Sequence, residues 1–231
     1  MTLPWPLPLA RSRAAAHRTH REGARRALNV AIAALGLVLA LPLMLLIAAL
    51  IKLTSRGPVL FVQSRVGLDR RALTRAGGNT RRHFDYGGRP FTMYKFRTMC
   101  DDRAAPKPVW AQPDDPRVTP IGRVLRRLRL DELPQLWNVL VGDMNVVGPR
   151  PEQPTIFVEL REQIEGYQRR QRVRPGITGW AQVNLNYDRS VDDVRKKLAF
   201  DLEYVRNQSA LEDLRIMLLT PAVMLGRRGG W

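Results

Sequence analysis

The sequence predicts an α/β-type compact domain that is fixed to a membrane by one N-terminal helix. Three observations lead to this fold class. An almost unbroken apolar run begins at Leu28 and ends at Ile51, long enough to enter a bilayer as a helix. Later stretches alternate apolar and polar residues as strands do, or repeat apolar residues at helical spacing. A chain of 231 residues can bury one core of ordinary size, so we expect one folded unit with a small sheet and several amphipathic interfacial helices.

Net charge and cysteine content limit the function classes. A formal charge of +17 and a pI near 11.3 indicate anionic partners, which include lipid headgroups, phosphorylated substrates and nucleic acid. The charge does not select among them. A single cysteine, Cys100, excludes an internal disulfide and a multi-cysteine metal site, and it is typical of a reducing compartment.

The chain divides into three parts by composition. Residues 1–26 are rich in Arg, Ala and Pro without apolar periodicity, which predicts a disordered basic tail. This tail either lies along anionic headgroups or is solvated with no role. Residues 27–53 form the predicted membrane helix, and residues 54–231 form the predicted cytoplasmic domain with its membrane-interface helices.

The membrane helix is basic on both sides, and this bears on its topology. Because lysine and arginine are retained on the cytoplasmic side of a membrane, neither end is a good candidate for export. Pro42 removes a backbone hydrogen bond mid-helix, which suits a re-entrant helix-break-helix, and a kinked spanning helix fits equally well. A signal peptide fits poorly, because its apolar core is normally about 7 to 15 residues long. The basic residues are Arg11, Arg13, Arg18, Arg21, Arg25 and Arg26 upstream, and Lys52, Arg56, Arg65, Arg70 and Arg71 downstream.

Two short strands are predicted after the membrane helix. Residues 59–63 are mostly apolar and follow a turn. Residues 91–97 alternate as a strand does, which places Lys95 and Arg97 on the same face. The Arg- and Gly-rich residues 69–89 between them predict a loop.

The helices that follow place a pair of acids beside a helix end. Thr119-Pro120 is a cap-then-proline start, and an apolar stripe opposed by arginines follows it. Pro134 suits the first turn of the next helix, Gln135–Val141, so Asp131 and Glu132 lie at or just before its N-terminus. The stripe consists of Ile121, Val124, Leu125 and Leu128, opposed by Arg123, Arg126, Arg127 and Arg129. Two later helices are predicted at residues 191–206 and 211–225, the second interrupted by Pro221.

Asp131 and Glu132 are the candidate catalytic groups. Adjacent acids are common on protein surfaces, but here arginines precede them and two rigid turns with Arg beside Pro follow them. Phosphoryl transfer requires groups that neutralise phosphate oxygens, a metal held by few carboxylates and, in some enzymes, a carboxylate nucleophile. Guanidinium groups in rigid turns are suited to phosphate oxygens. The two turns are Gly148-Pro149-Arg150-Pro151 and Arg174-Pro175-Gly176-Ile177-Thr178-Gly179.

Several motifs, taken in their order along the chain, resemble those of the monotopic phosphoglycosyl transferases. These are the bacterial sugar transferases that start polyprenyl-linked glycan assembly. The resemblance extends from residue 26 to residue 225. The motifs are Gly57-Pro58-Val59-Leu60-Phe61, Gln63-Ser64-Arg65-Val66-Gly67, Tyr94-Lys95-Phe96-Arg97-Thr98-Met99, Leu130-Asp131-Glu132-Leu133-Pro134-Gln135-Leu136-Trp137-Asn138-Val139, Gly142-Asp143-Met144, Val147-Gly148-Pro149-Arg150-Pro151 and Arg174-Pro175-Gly176-Ile177-Thr178-Gly179-Trp180-Ala181-Gln182-Val183.

The resemblance implies a ping-pong reaction at the bacterial inner membrane, with the active site facing the cytoplasm. Asp131 corresponds to the acid that attacks the sugar-bearing phosphate of a UDP-sugar, expels UMP and carries the phosphosugar until polyprenyl (undecaprenyl) phosphate takes it. Glu132 matches its partner acid, as metal ligand or proton handler, and Mg²⁺ is the implied metal at Asp131 and Glu132. The resemblance also favours the re-entrant topology. The residues expected to bind substrate or phosphate are Lys95, Arg97, Arg126, Arg150 and Arg174.

Two features depart from the family pattern. Leu41-Pro42 stands where the family often has Ser-Pro, so no hydroxyl at position 41 bonds the freed backbone, and the bend must rest on Pro42 and on packing. Residues 69–89 exceed the tight turn that is common there, and they either shape the sugar pocket or form a surface insertion, which we favour. Since no second apolar run of spanning length is present, we expect the chain to act without the multi-helix membrane domain of longer relatives.

Two other functions remain as alternatives. A membrane-anchored metal-dependent phosphatase or nucleotidyl transferase would also use Asp131, Glu132 and the arginines. A non-enzymatic basic protein tethered at the membrane would bind nucleic acid through its charge alone. The main interpretation instead predicts UDP-sugar, polyprenyl phosphate and anionic inner-membrane lipids as partners, without nucleic acid. It leaves the sugar, the glycan pathway and a homodimer open.

Overall fold

The computed structural model describes residues 8–69, 86–100, 115–185 and 190–226, with side chains from Glu22 to Met224. Most of these residues are helical, and short strands lie between the helices, so the predicted small sheet and long apolar N-terminal helix are confirmed. Most of the loop predicted at residues 69–89 lies outside the described residues. The elements are α1 (Pro8–Thr54), β1 (Leu60–Val66), β2 (Pro90–Phe96), α2 (Pro120–Arg127), α3 (Gln135–Val141), β3 (Asn145–Val147), α4 (Pro154–Gln163), β4 (Gly176–Thr178), α5 (Trp180–Asn184), α6 (Val191–Asn207) and α7 (Ala210–Gly226), with 3₁₀ turns at Leu130–Glu132 and Tyr167–Arg172.

Helix α1 contains the apolar run. Within the described part of the chain, its section Glu22–Thr54 is the helix that is long and apolar enough to cross a membrane. Only 11% of its most apolar window is buried, which distinguishes it from the core helix of a soluble domain. The helix continues through Pro42, so the predicted break is wrong as a statement about secondary structure. Hydrogen bonds on either side of a proline keep a membrane helix continuous.

The start of α1 corrects the predicted disordered tail. The helix begins at Pro8, so residues 8–26 are not an irregular tail. Arg25 anchors this part of the helix, since its Nε donates to Asp213 Oδ2 at 3.0 Å and its Nη2 donates to Tyr204 Oη at 2.7 Å. Arg25 and Asp213 are both buried, and Tyr204 Oη also lies 3.0 Å from the Val147 carbonyl oxygen. The anchor therefore joins α1 to α6, α7 and β3.

A second set of contacts joins α1 to α3 and β3. Arg26 donates to the carbonyl oxygens of Val139 and Leu140, at 2.7 and 2.9 Å. These carbonyls lie in the last turn of α3, where helical hydrogen bonds run out, so the guanidinium caps the helix. Asn29 is fully buried, and its Oδ1 accepts the backbone N–H of Val146 at 2.6 Å.

The later half of α1 packs against the domain through an apolar cluster. Ile47 and Ile51 are buried with Phe96 of β2 and Leu125 of α2. Burial of large aliphatic and aromatic side chains is the main source of packing free energy. Helix α1 therefore contacts the domain near both ends of its section Glu22–Thr54.

The described strands form two separate two-stranded sheets. β1 and β2 are antiparallel, with Phe61 opposite Lys95 and Gln63 opposite Met93. β3 and β4 are parallel, with Val147 opposite Thr178. The strands predicted at residues 59–63 and 91–97 are confirmed, although β1 is longer than predicted.

The start of α2 agrees with the prediction, but only part of its predicted apolar stripe is buried. The Thr119 side chain accepts a first-turn backbone N–H at 3.0 Å. Leu125 is buried and Ile121 packs against the same cluster, whereas Val124 and Leu128 are about half exposed. One part of the stripe therefore faces the core, and the other faces outward as in an interfacial helix.

The remaining predicted helices are confirmed with small changes. α3 has the predicted bounds, and α6 begins at the predicted residue and ends one residue later. α7 continues through Pro221, so the predicted interruption there is wrong.

Arg25→Met should destabilise the folded domain by about 3 to 5 kcal/mol, because the buried Asp213 carboxylate loses its charge partner. Thermal or denaturant unfolding in detergent measures the change. Arg195→Met is the matched control, since that side chain is 57% exposed and its ion pair should contribute less than about 1 kcal/mol. Equal losses in both variants would contradict the anchoring role of Arg25.

Candidate active site

The acid pair lies in a short turn between two helices. Asp131 and Glu132 occupy the 3₁₀ turn that links α2 to α3, and each is only 6% exposed. Arg129, just before the turn, has a φ of 56°, a left-handed conformation that is uncommon outside glycine. Pro134 then starts α3, where its missing N–H costs nothing. The chain therefore reverses direction sharply at the acid pair.

Glu132 is held by cations from three elements. Its Oε1 lies 2.9 Å from Lys95 Nζ on β2 and 2.7 Å from Arg150 Nη2 on the loop after β3. Arg129 Nη1 is 3.6 Å away. Burial alone would raise the pKa of Glu132, but Arg150 and Lys95 outweigh it and hold the pKa well below its ordinary value. Glu132 in turn raises the pKa of Arg150.

Asp131 is less well compensated than its neighbour. Lys95 Nζ lies 3.8 Å from its Oδ2, beyond hydrogen-bonding distance, and its buried Oδ1 has no hydrogen-bond partner among the described residues. Burial raises the pKa of Asp131, and the negative charge of Glu132 adds to the rise while Lys95 opposes it. A buried oxygen without a partner is costly, which marks this oxygen as a place for a ligand.

Lys95 and Arg97 do not act as a pair. Lys95 points to the acid pair, and burial lowers the pKa of its amine despite the nearby charge of Glu132. Arg97 is buried and donates to the carbonyl oxygens of Arg56 and Ser55, at 2.7 and 2.9 Å. Its guanidinium therefore holds the end of α1, and substrate binding by Arg97 stays a prediction.

Two other predicted phosphate-binding residues have their own contacts. Arg126 Nε donates to Thr98 Oγ1 at 3.0 Å, and its Nη2 lies 3.1 Å from Met99 Sδ. Arg174 Nε donates to the Gly142 carbonyl oxygen at 3.1 Å, at the end of α3 remote from the acid pair. The structure thus brings Lys95 and Arg150 to the acids, whereas Arg174 lies at the opposite end of α3, a helix about 10 Å long.

Charged residues buried behind Arg150 support its loop. Arg170 Nη2 donates to the Arg150 carbonyl oxygen at 2.9 Å and pairs with Asp201 at 2.7 Å. Glu152 accepts from Lys197 Nζ at 3.0 Å. These contacts therefore hold in place the loop that carries Arg150, whose guanidinium contacts Glu132.

The sequence analysis missed several of these supporting residues. Arg170 lies in the run Tyr167–Arg172, which looks like an exposed basic stretch although its side chain is 1% exposed. Arg129 was assigned only to the basic face of a helix. Its position immediately before the acid motif was a usable signal, because residues beside a catalytic turn often carry the backbone strain.

The acid pair fits a magnesium ion in part. In the part of the chain that the structure describes, no group of three His, Cys, Asp or Glu residues is placed to hold a metal. Mg²⁺ is usually bound by one or two carboxylates together with substrate phosphates. The unpartnered Asp131 Oδ1 suits that mode. Glu132 suits it less, because Lys95 and Arg150 already bind its Oε1.

Comparison with known proteins identifies the family of the chain. The profile of the bacterial sugar transferase family matches residues 20–227, so the chain belongs to this family. It is 42% identical over 201 residues to an Aeromonas hydrophila UDP-N-acetylgalactosamine-undecaprenyl-phosphate N-acetylgalactosaminephosphotransferase, which covers 87% of this chain and 43% of the relative. It is 40% identical over 198 residues to the Escherichia coli K12 UDP-glucose:undecaprenyl-phosphate glucose-1-phosphate transferase, which covers 85% and 39% of the two chains.

The length of the match differs among relatives. The chain spans less than half of the two proteins just named. A Caulobacter vibrioides UDP-glucose:undecaprenyl-phosphate glucose-1-phosphate transferase is 41% identical over 203 residues, which covers 87% of this chain and 69% of that protein. The shared region therefore includes the acid pair, its cations and most of α1.

Glu152→Gln should remove a pH-dependent part of the stability. Burial alone would raise the pKa of Glu152, but Lys197, Arg170 and Arg65 lower it from 4.5 to about 2. A carboxylate with a lowered pKa stabilises the fold above its unperturbed pKa, and this stabilisation is lost as the pH falls through its folded pKa. At pH 7 the free energy of unfolding of the wild type should exceed that of the variant by about 3 kcal/mol.

The difference in the free energy of unfolding between wild type and Glu152→Gln should become smaller as the pH falls from 4.5 to about 2. Unfolding midpoints measured across this range provide the test. A gap that stays constant with pH would contradict the assigned ion pairs.

Proposed function

We propose that this chain transfers a sugar-1-phosphate from a UDP-sugar to polyprenyl phosphate, with release of UMP, at the cytoplasmic face of the bacterial inner membrane. The buried acid pair is the observation that carries the proposal. Lys95 and Arg150 hold Glu132, and among the described residues one carboxylate oxygen of Asp131 has no hydrogen-bond partner. Such a carboxylate can attack a phosphorus atom when nearby cations neutralise the phosphate oxygens.

The names of the relatives support the substrate classes. They give undecaprenyl phosphate as the acceptor, with UDP-N-acetylgalactosamine in one case and UDP-glucose in another. Because the relatives differ in the sugar, we propose a UDP-hexose donor without choosing among sugars.

In the first proposed half-reaction, a carboxylate oxygen of Asp131 attacks the phosphorus that bears the sugar. A bond forms between this oxygen and phosphorus while the bond from phosphorus to the bridging oxygen breaks, and UMP leaves with the electron pair. Lys95 and Arg150 lie beside the acids and would neutralise the phosphate oxygens. Mg²⁺ bound at Asp131 would add charge neutralisation at the diphosphate.

In the second proposed half-reaction, an oxygen of polyprenyl phosphate attacks the same phosphorus. The bond between Asp131 and phosphorus breaks, the free carboxylate is restored, and the product is a polyprenyl diphosphate sugar. The pKa of Glu132 is well below its ordinary value, which makes this residue a poor proton carrier. In this mechanism Glu132 holds Lys95 and Arg150 in position.

The re-entrant topology is also a proposal, and the contacts of α1 support it. Arg25, before the apolar run, and Ser55, after it, both contact the catalytic domain, the latter through Arg97. Residues 38–43, which include Pro42, are mostly exposed. Contacts with one domain near both ends of the section Glu22–Thr54, with an exposed apolar middle, suit a helix that keeps its helical hydrogen bonding, bends at Pro42 and returns from one leaflet.

Exposed apolar residues on α2 and α3 extend the proposed membrane surface. Each is about half exposed on a short helix next to the acid pair. Apolar residues on one helix face and basic residues beside them are typical of helices that lie in the headgroup region of anionic membranes. The apolar residues are Val124, Leu128, Trp137 and Val141, and the exposed basic residues of α2 are Arg123 and Arg127.

Asp131→Asn should abolish UMP release, because it removes the attacking charge at almost constant shape. Purified protein is incubated with UDP-glucose and UDP-N-acetylgalactosamine, without acceptor, and UMP is measured. Wild type should release UMP in an amount limited by enzyme and should retain label from a donor labelled in its sugar. The variant should do neither.

The control for Asp131→Asn is Asp192→Asn, since that carboxylate is 77% exposed on α6. Both variants should unfold near the wild-type temperature. Covalent labelling of Asp131→Asn would place the nucleophile elsewhere.

Release of inorganic phosphate, or of a diphosphate, would instead favour the phosphatase or nucleotidyl transferase alternative. A basic nucleic-acid-binding protein would show no effect of Asp131→Asn.

Cysteine labelling in intact cells should place both ends of α1 in the cytoplasm. The background is Cys100→Ser, because the native cysteine is exposed. Cysteines near residue 10 and at Ser190 should both resist an impermeant thiol reagent and react after permeabilisation. Labelling near residue 10 alone in intact cells would mean a spanning helix. Pro42→Ala should shift some molecules toward that form, because it restores a helical hydrogen bond.

A further inference from the structure

Asn138 connects α3 to the strand that carries Lys95. Its side chain is fully buried. Its Nδ2 donates to the Thr92 carbonyl oxygen at 2.7 Å, and its Oδ1 accepts the Tyr94 backbone N–H at 3.1 Å. One side-chain amide therefore satisfies two backbone groups of β2, and Lys95 is the next residue along the strand.

Within the part of the chain that the structure describes, these two bonds take the place of a neighbouring strand on the second edge of β2. β2 pairs with β1 along one edge, and the backbone groups of Thr92 and Tyr94 that Asn138 binds lie on the other edge. Unpaired groups at a buried strand edge cost free energy, and an amide is the side chain that donates and accepts at once. Asn138 therefore fixes both the position of β2 along α3 and its distance from α3.

The acid pair belongs to the same stiff segment as Asn138. Backbone hydrogen bonds run from Leu133 to Leu130, from Leu136 to Leu133 and from Trp137 to Pro134, so helical turns continue from the acids into α3. A short, continuous helical segment moves as one body. Through its amide, Asn138 ties this segment to the strand whose Lys95 must reach Glu132 over 2.9 Å.

We propose that Asn138 is a positioning residue that sets the Lys95 ammonium against Glu132 and Asp131. The proposal rests on the proposed function, in which Lys95 neutralises phosphate oxygens. A lysine side chain is long and flexible, so the strand beneath it must be placed accurately before its amine can bind one carboxylate. Displacement of a catalytic group by about 1 Å can lower a rate by about 100-fold.

The first measurement tests whether Lys95 contacts Glu132 or Asp131, and it requires no catalytic turnover. A carbodiimide joins a lysine to a carboxylate only when the two are in contact, and mass spectrometry of the digested full-length protein detects the Lys95–Glu132 or Lys95–Asp131 link. Asn138→Ala should largely lose this link. Asn138→Asp keeps the acceptor for Tyr94 and loses the donor to Thr92, so it should retain an intermediate yield and serve if Asn138→Ala does not fold.

The second measurement is kinetic. In UMP release, Asn138→Ala should lower kcat at least tenfold with a smaller change in KM. In a Lys95→Met background the same substitution should lower kcat less than about twofold, because its effect passes through Lys95. Ser190→Ala is the control for stability, since it removes the N-cap of α6 and should change neither the cross-link nor kcat.

The two measurements separate failure of this inference from failure of the proposed function. A full cross-link yield in Asn138→Ala, or an equal kcat loss in the wild-type and Lys95→Met backgrounds, would overturn the positioning role. Wild type that forms the cross-link but releases no UMP from any UDP-sugar would overturn the proposed function, while loss of the cross-link in Asn138→Ala would still support the geometric role.

Discussion

A carboxylate buried as deeply as that of Glu132 is tolerated only when cations replace the water it has lost. Lys95 comes from β2, Arg150 from the loop after β3 and Arg129 from the position just before the turn of Glu132 itself, so one carboxylate ties this turn to β2 and to the loop after β3. Asp131 is adjacent in sequence and has no such set of partners. The two acids therefore differ in their surroundings, since cations hold Glu132 whereas Asp131 Oδ1 has no hydrogen-bond partner among the described residues.

The membrane helix contributes to this arrangement as well as to attachment. Arg26 caps the last turn of α3, and Asn29 binds the backbone of β3. α3 follows the turn that carries Glu132, and β3 leads into the loop that carries Arg150. Contacts of α1 therefore reach both of the elements that adjoin the acid pair and its cations.

Local patterns in the sequence predicted the elements that carry the candidate site. Lys95 on a strand and a helix starting after Pro134 follow from short-range rules of periodicity, capping and proline placement. The motif order also identified the family. The bounds of α3 were predicted without error because a proline precedes it and Gly142 ends it in a left-handed conformation.

Long-range contacts limited the rest of the prediction. Arg25 and Asp213 are 188 residues apart, so no local pattern revealed that residues 8–26 would be helical and that Arg25 would pair with Asp213. Arg97 shares an alternating strand pattern with Lys95, but it lies just past the end of β2, where it turns to the end of α1. Basic residues therefore have different functions according to their partners in the fold. Arg25 pairs with Asp213, Arg97 binds the end of α1, and Lys95 is a candidate phosphate contact.

The central claim is a covalent intermediate on Asp131, and isotope exchange tests it most directly. Wild-type protein is incubated with a UDP-sugar and radiolabelled UMP in the absence of polyprenyl phosphate. A covalent phosphosugar can react backward with UMP, so label should enter the UDP-sugar pool, and Asp131→Asn should prevent it. Absence of exchange in a preparation that transfers sugar phosphate once polyprenyl phosphate is added would contradict the account and favour direct transfer in a ternary complex.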